Sequence, residues 1–239
     1  MPRIKKAMIL AAGRGVRMRE LTQDKPKPLV PVNNKPLIDY IVEKLDNHGV
    51  HDIVVNLCYK GEMIQNDLAQ YKHLNICYSV EKEALETGGG VKNALPLLGT
   101  ESFFVVNADP LWIDKTSSIF SQLEQAWNPQ QHDILLALIP VKNARGDVKD
   151  GNYFIENNKP RRQLKHETNI PYLFTGIQII NPCVFDNTQT GAFSLRDVYD
   201  MAQQNNRLGC IIYDGTWYHV GTPEALLETE QDLKELHHL

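Results

Sequence analysis

The residues Ala7-Met8-Ile9-Leu10-Ala11-Ala12-Gly13-Arg14-Gly15 decide the fold class of this chain. The apolar residues at 7–10 predict a buried strand, and the two glycines that follow let the backbone turn sharply. After such a turn, consecutive backbone N–H groups point into one concavity, which suits an anion. We therefore predict a phosphate-binding loop at the end of a first strand, in an α/β fold.

Two cations follow this loop. Arg17 has a planar guanidinium group, and Lys27 has a compact ammonium charge and lies within Lys25-Pro26-Lys27-Pro28. A polyphosphate that undergoes substitution requires such positive charges to neutralise its own. The structural alternative is a tight strand-to-helix turn followed by a rigid connector with a solvated lysine. The loop matches neither a Rossmann fingerprint, whose third glycine is replaced by Met18, nor a Walker A loop, which needs Gly-Lys-Ser or Gly-Lys-Thr.

Strand and helix patterns then alternate along the chain. This order predicts a doubly wound, mostly parallel sheet, with a ligand in the crevice beyond the strand ends. Apolar runs and helical periodicity predict strands at 52–57, 74–80, 102–109, 133–141 and 172–180, and helices at 36–45, 61–70, 89–98, 116–127, 194–204 and from Thr222 onward.

A carboxylate ends the most apolar of these strands. The residues Phe103-Phe104-Val105-Val106-Asn107-Ala108-Asp109 indicate a central parallel strand that is buried on both faces. Functional groups collect where such strands end, so Asp109 is predicted to bind a metal ion. The alternative role for Asp109 is that of a turn residue before Pro110.

The regular pattern loosens in the second half of the chain. Residues 143–169 are polar and are interrupted by glycine and proline. We interpret residues 142–172 as a small β-rich insertion that forms a lid. With 239 residues and 42% hydrophobic composition, the chain can bury a sizeable core, and we predict a single domain over residues 1–239.

The composition limits the kinds of binding partner and the cellular compartment that we expect for this protein. The formal net charge of -4 argues against nucleic-acid and membrane-surface binding, since both need a basic surface. No segment has the apolar length of a membrane span or the pattern of a signal peptide. The 4 cysteines form no CxxC pair of a zinc or redox centre. We expect a cytoplasmic protein, monomeric or weakly dimeric, with small-molecule partners.

Several stretches, taken in order, resemble one enzyme family. They are residues 10–17, Leu21-Thr22, Pro26-Lys27-Pro28-Leu29, Asn107-Ala108-Asp109 and Gly215-x-Trp217-x-x-Val220-Gly221-Thr222-Pro223-Glu224. Together they resemble the sugar-1-phosphate nucleotidyltransferases over nearly the whole chain. Within that family, residues 83–90 and 94–99 are most similar to the N-acetylmuramate-1-phosphate uridylyltransferases of bacterial cell-wall recycling.

The resemblance implies a Rossmann-like nucleotidyltransferase fold and a definite reaction. UTP and a sugar 1-phosphate, here N-acetylmuramate 1-phosphate, would give a UDP-sugar and pyrophosphate. Arg17 would clamp the triphosphate, Lys27 would bridge the α-phosphate and the incoming phosphate, and Asp109 would hold Mg²⁺. A phosphate monoester has its second pKa at about 6, so it is largely dianionic near neutral pH and attacks without a general base.

The resemblance also implies the remaining binding residues. The nucleotide would be bound by Leu10, Ala11, Ala12, Gly13, Gly15, Glu81, Glu83, Thr87, Gly88 and Asn107. The sugar would be bound by Gly146, Thr175 and Gly176. Two of these stretches have structural alternatives: Thr87-Gly88-Gly89-Gly90 also suits a flexible helix entry, and Gly176 also suits a bulge in a strand.

One position departs from the family pattern. The family has Asp as its second magnesium ligand in Trp-x-Asp-Val-Gly-Thr, whereas this chain has Trp217-Tyr218-His219-Val220-Gly221-Thr222. Imidazole suits Mn²⁺, Co²⁺ or Zn²⁺ better than Mg²⁺, which prefers hard oxygen. His219 therefore binds a softer metal, holds a metal-bound water, or leaves Asp109 as the sole protein ligand, with Asp214 as a candidate replacement. We favour the water-mediated arrangement, because a lone histidine is usually not a ligand.

Two other kinds of function are compatible with the sequence. A mannose-1-phosphate guanylyltransferase, a glucose-1-phosphate thymidylyltransferase or a phosphocholine cytidylyltransferase would use the same loop chemistry. A catalytically weak nucleotide-sugar binding or regulatory protein would account for His219.

Overall fold

Strands and helices alternate through the first half of the computed structural model, which describes residues 3–237. The strands are β1 (Lys6–Leu10), β2 (Pro31–Val32), β3 (Lys35–Pro36), β4 (Asp52–Leu57), β5 (Asn75–Val80), β6 (Phe103–Asn107), β7 (Pro110–Ile113), β8 (Ile134–Pro140), β9 (Ala144–Gly146), β10 (Tyr153–Glu156), β11 (Lys159–Arg162), β12 (Tyr172–Ile180), β13 (Leu208–Ile212) and β14 (Thr216–His219). The α-helices are α1 (Leu37–His48), α2 (Gly61–Leu68), α3 (Glu86–Leu98), α4 (Ile119–Ala126), α5 (Leu195–Gln204) and α6 (Pro223–His237).

The main sheet combines a parallel part with an antiparallel part. Strands β6, β1, β4 and β5 lie side by side and run parallel. Strand β12 runs antiparallel to both β6 and β8, and β13 pairs in parallel with β8. The predicted doubly wound, mostly parallel sheet is confirmed, but the direction of β12 was not visible in the sequence pattern.

Helices cover both faces of this sheet because successive strand residues point to opposite sides. Ala7 and Ile9 of β1 pack in one buried cluster with Ile41 of α1 and with apolar residues of α2 and α4. Met8, between them in sequence, packs in a second cluster with apolar residues of α3 and α5. Burial on both faces explains why these strands are almost continuously apolar.

The elements lie within a few residues of their predicted positions, with one informative shift. Helix α3 begins at Glu86 rather than at residue 89, so the glycine-rich segment forms its first turn. Helix α5 begins after Ser194, whose hydroxyl oxygen accepts a hydrogen bond from the backbone N–H of Arg196, as an N-cap does. Within residues 3–237, none of the helices has the length and apolarity that a membrane crossing needs.

Short strands make up the insertion predicted at residues 142–172. Strand β9 joins β14 and β7 in a three-stranded sheet. The β10–β11 hairpin extends the main sheet beside β12 through the residue pair Tyr153 and Tyr172. The insertion is β-rich as predicted, and its role as a lid stays a prediction.

A third apolar cluster joins the C-terminal part of the chain to the loop after β1. Met18, Val30, Tyr218 and Leu226 pack together in this cluster. Because Tyr218 immediately precedes His219 in β14, this packing sets the position of the histidine relative to the loop.

Candidate active site

Two adjoining cavities lie beyond the carboxyl ends of β1 and β6. The first cavity, of about 450 Å³, is formed by the loop after β1, the start of α3 and the residues after β6. The second cavity, of about 690 Å³, lies between the insertion, β12 and the start of α5. The two cavities share Glu86, Thr87, Asn107 and Asp109 in their walls. Asp109 therefore lies at their junction.

The loop after β1 passes closely over Lys27. Gly15 has a φ of 66°, in the left-handed region that favours glycine. A Cβ added at Gly15 would lie 2.6 Å from the Cβ of Lys27. The hydroxyl of Thr22 donates a hydrogen bond to the backbone oxygen of Gly15 at 3.1 Å and so holds the turn. Glycine at this position is required by the close approach of the lysine.

Lys27 and Asp109 form an ion pair between the loop and the end of β6. The lysine Nζ lies 2.8 Å from Oδ2 of Asp109, and the two side chains are 12% and 28% exposed. Burial acts to raise the pKa of Asp109, but Lys27 and His219 outweigh it and hold that pKa well below its ordinary value. Asp109 is therefore ionised near neutral pH and can bind a cation.

The imidazole of His219 faces the same carboxylate. Its Nε2 lies 3.5 Å from Oδ2 of Asp109 and 3.4 Å from a guanidinium nitrogen of Arg17. Its Nδ1 lies 3.1 Å from the backbone oxygen of Asp147, which can only accept, so Nδ1 is the donor. With Nδ1 bonded in this way, Nε2 is the ring nitrogen left facing Asp109 and Arg17, as in metal-binding histidines, which bond the backbone through their other nitrogen.

Arg17 is held by a carboxylate from the insertion. Its guanidinium forms a salt bridge with Asp147, which lies 130 positions further along the chain. The side chain of Arg17 is 60% exposed, so this contact is weak enough for a polyphosphate to compete with it. Asp147 lines the second cavity and was missed by sequence reasoning, because no motif surrounds it.

A buried hydrogen-bond network supports the first cavity. Oδ1 of Asn56 accepts from the backbone N–H of Ala11 at 2.7 Å, and Nδ2 of Asn56 donates to Oε1 of Glu81 at 2.7 Å. The other carboxylate oxygen of Glu81 accepts from the backbone N–H of Leu85 at 3.0 Å. Asn56 was also missed by sequence reasoning, although its place near the end of a predicted strand was an available signal.

Most of the predicted site residues line one of the two cavities. The first cavity is lined by Leu10, Ala11, Ala12, Gly13, Gly15, Arg17, Lys27, Glu81, Thr87, Asn107 and Asp109. The second cavity is lined by Thr175, Gly176 and His219. The predicted residues that line neither cavity are Glu83, Gly88 and Gly146.

These three residues have other surroundings. The N–H of Gly88 donates to the backbone oxygen of Phe193 at 2.8 Å, and a Cβ added at Gly88 would lie 2.5 Å from the Phe193 ring. A Cβ added at Gly146 would lie 2.6 Å from the backbone oxygen of His219. Both glycines therefore permit close packing within the protein, and Glu83 is exposed.

Gly176 lies in a bulge of β12, and its predicted contact with the sugar stays a prediction. The register of β12 against β8 shifts between Phe174 and Gln178, and Gly176 has a φ of 80°. A Cβ added at Gly176 would lie 2.8 Å from the side-chain nitrogen of Asn107. The bulge thus lets β12 approach Asn107 closely, and Gly176 also lines the second cavity.

A divalent cation would find two protein donors here. Within residues 3–237, no three His, Cys, Asp or Glu side chains are grouped to hold a metal ion. Oδ2 of Asp109 and Nε2 of His219, 3.5 Å apart, fit an ion whose remaining ligands are substrate oxygens, which is how Mg²⁺ commonly binds beside phosphates. Asp214, considered above as a replacement, lines neither cavity and accepts a hydrogen bond from Thr116 at 2.9 Å.

Comparison with known proteins identifies the family. The family model described as Nucleotidyl transferase matches residues 6–235. The chain belongs to this nucleotidyl transferase family. The predicted transferase activity is therefore confirmed at the level of the family.

Two curated relatives of this nucleotidyl transferase carry the same name. The N-acetylmuramate alpha-1-phosphate uridylyltransferase of Caulobacter vibrioides is 36% identical over 234 residues, which cover 96% of this chain and 97% of that protein. Its namesake from Neisseria meningitidis serogroup B is 36% identical over 241 residues, which cover 94% of this chain and 96% of that protein. The predicted resemblance to sugar-1-phosphate nucleotidyltransferases, and to this group of uridylyltransferases, is confirmed.

A solved structure has the same fold. HddC from Yersinia pseudotuberculosis, in complex with GMP-PN, matches with a TM-score of 0.77 at 21% identity. The match covers 96% of this chain and 100% of that chain. The predicted Rossmann-like nucleotidyltransferase fold is therefore confirmed.

Proposed function

We propose that this sugar-1-phosphate nucleotidyltransferase couples UTP to N-acetylmuramate 1-phosphate, giving a UDP-sugar and pyrophosphate. The observation that carries the proposal is the meeting of two cavities at Asp109, with the ammonium group of Lys27 2.8 Å away. The first cavity takes the nucleotide and the second takes the sugar, so their phosphates meet at this ion pair. The names of the two uridylyltransferase relatives support the choice of base and sugar.

The reaction brings two mutually repelling phosphates into line. An oxygen of the sugar phosphate forms a bond to the α-phosphorus of UTP. The bond from that phosphorus to the oxygen bridging the α- and β-phosphates breaks, and pyrophosphate leaves with the electron pair. The attacking phosphate is already dianionic near neutral pH, so no protein base is needed.

The protein supplies positive charge where the phosphates meet. Lys27 lies at the junction and neutralises the α-phosphate and the incoming phosphate. When the triphosphate binds, the guanidinium of Arg17 leaves Asp147 and binds the β- and γ-phosphates, which depart as pyrophosphate. The triphosphate competes successfully because it carries more negative charge than one carboxylate. The loop after β1 adds backbone N–H groups to the same site.

Asp109 and His219 are proposed to hold a divalent cation, which when bound neutralises phosphate charge. The low pKa of Asp109 keeps its carboxylate ionised and available as a ligand. The orientation of Nε2 in His219 supports direct ligation over contact through a water. A nitrogen ligand favours Mn²⁺ or Co²⁺ over Mg²⁺.

The physiological setting belongs to the same proposal. Production of a UDP-activated N-acetylmuramate serves the recycling of cell-wall sugars in the cytoplasm. The names of the two relatives support the identity of the sugar, from which this setting is inferred.

A coupled pyrophosphate-release assay tests the proposed reaction. UTP, GTP, CTP and dTTP are each paired with the 1-phosphates of N-acetylmuramate, N-acetylglucosamine, glucose and mannose, in Mg²⁺ and in Mn²⁺. Release should be fastest with UTP and N-acetylmuramate 1-phosphate. Faster release with another nucleotide would overturn the choice of base. Thermal stabilisation by nucleotide without turnover in any pair would indicate a binding protein instead.

A further inference from the structure

Two of the cations that line the second cavity form no salt bridge within the described residues 3–237. Lys149 and Arg196 line this cavity, and neither forms a salt bridge with any residue in the described range 3–237. The third cation, Arg162, is paired with Asp200, with 2.8 Å between Nε and Oδ1. Lys149 and Arg196 are therefore free to bind an anion.

The aspartates that line the second cavity have partners other than Lys149 and Arg196. Asp109 and Asp147 pair with Lys27 and Arg17. Asp150 accepts hydrogen bonds from the backbone N–H groups of residues 169 and 170. Glu86 also lines the first cavity, so it lies with Asp109 at the junction. Glu86 and Asp109 thus lie at the junction, and the two carboxylates that line the second cavity only, Asp147 and Asp150, bind Arg17 and backbone N–H groups rather than Arg196.

A buried hydroxyl without a partner among the described residues belongs to the lining of the same cavity. Tyr153 is 2% exposed and lines the second cavity. Among the described residues, its hydroxyl has no hydrogen-bond partner, although buried polar groups normally have one. Burial raises the pKa of Tyr153, while the nearby guanidinium groups of Arg162 and Arg196 act against that increase. Arg196 and Tyr153 thus line the same cavity, one as an unpaired cation and the other with an unpaired hydroxyl.

This pair of groups has the chemistry that recognises a carboxylate. A guanidinium presents parallel N–H donors that match the two oxygens of a carboxylate, and a tyrosine hydroxyl adds a further donor. N-acetylmuramate differs from N-acetylglucosamine in a lactyl ether that ends in a carboxylate. The phosphate, which both sugars share, is proposed above to bind at Lys27 instead.

We propose that Arg196 and Tyr153 bind the carboxylate of an acidic sugar 1-phosphate and so select it over the same sugar without that group. Lys149 adds a second positive charge from the insertion. This inference rests on the proposed function and extends it from the reaction to the choice of sugar. It makes Arg196 and Tyr153 specificity residues rather than catalytic residues.

Steady-state kinetics of the metal-loaded enzyme with UTP test this inference. The readout is the ratio of kcat/KM for N-acetylmuramate 1-phosphate to kcat/KM for N-acetylglucosamine 1-phosphate. Arg196→Gln should lower this ratio about 10- to 100-fold, chiefly through KM, as expected for loss of a hydrogen bond to a charged group. Tyr153→Phe should lower the ratio without lowering Tm, since the hydroxyl has no partner within the described protein.

A matched control and the contrary outcomes make the test decisive. Lys165→Gln removes one positive charge from an exposed position outside both cavities and should leave the ratio unchanged. An equal loss with both sugars in Arg196→Gln, or no loss with either, would overturn the inference. Failure of the proposed function is a different result, because wild-type protein would then release no pyrophosphate from UTP with either sugar.

Discussion

Lys27 and Asp109 are 82 positions apart in sequence, yet Nζ of the lysine lies 2.8 Å from Oδ2 of the aspartate. The approach is possible because Gly15 has no Cβ where the loop crosses the lysine. The pair brings opposite charges to the junction of the two cavities. A bound phosphate would be attracted to the lysine and a bound cation to the aspartate.

Replacing either partner of this pair should remove activity and leave the fold intact. We expect Lys27→Ala and Asp109→Ala each to lower kcat by about 10²- to 10³-fold, the usual loss when one charge-stabilising group is removed. Initial rates measure the loss, and circular dichroism checks the fold. Lys5→Ala, at an exposed position away from both cavities, is the control. Near-native rates in either site variant would refute the assigned role.

The salt bridge between Arg17 and Asp147 should oppose binding of the triphosphate. Asp147→Asn removes the competing carboxylate, so we expect KM for UTP to fall by up to about fivefold, the range of an exposed ion pair. Arg17→Gln should raise KM for UTP. Asp186→Asn, at an exposed position, serves as the control. A higher KM in Asp147→Asn would mean that Asp147 itself helps to bind substrate or metal.

His219 should determine which metal ion the enzyme prefers. His219→Asp replaces a nitrogen donor by an oxygen donor, so activity in Mg²⁺ relative to Mn²⁺ should increase several-fold. Electron paramagnetic resonance of free Mn²⁺ measures the affinity independently of turnover, and His219→Ala, which removes the donor altogether, should bind Mn²⁺ more weakly than the wild type. His166→Asp, at an exposed position, is the matched control. An unchanged metal preference would exclude His219 as a ligand.

The two glycines of the loop should respond differently to alanine. Gly15→Ala places a Cβ 2.6 Å from that of Lys27 in left-handed backbone, so we expect a loss of about 1–3 kcal/mol in stability. Gly13→Ala meets no atom within 4 Å and should unfold like the wild type. Because Gly13 lines the first cavity, its added methyl should still raise KM for UTP. Thermal unfolding measures the stability of the two variants, and steady-state kinetics measure their KM for UTP. A wild-type Tm for Gly15→Ala would contradict the close contact with Lys27.

A buried carboxyl on α1 should make stability depend on pH. Asp39 is 6% exposed, and burial together with the nearby Asp67 raises the pKa of Asp39 to about 7. The unfolded chain releases this proton near pH 3.8, so the folded state holds an extra proton between the two values. Stability therefore falls as pH rises from about 4 to about 7 and stays lower above that.

Asp39→Asn should flatten this dependence. The neutral amide avoids ionisation, so we expect Tm at pH 8 to rise by about 2–4 °C for each kcal/mol recovered. Thermal unfolding between pH 5 and pH 8 measures the slope. Glu101→Gln, at an exposed position, should keep the wild-type slope. A wild-type slope in Asp39→Asn would show that another group titrates.

Local signals account for the predicted residues that line the first cavity. The strand before the loop, the glycines at 13 and 15 and the apolar strand before Asp109 are each visible within ten residues of sequence. The same glycine signal misled at Gly88 and Gly146. Glycine indicates close approach, but only packing distinguishes approach of a ligand from approach of the protein's own backbone.

The sequence by itself determined the α/β order, the glycine-containing loop after β1 and the charges that Lys27 and Asp109 carry, since apolar periodicity and residue type are local properties. Only the tertiary structure decided that β12 runs antiparallel, that Asp147 holds Arg17 and that Nε2 of His219 faces Asp109. These features join residues far apart in the chain. Their positions follow from strand order and side-chain packing, which no local stretch of sequence specifies.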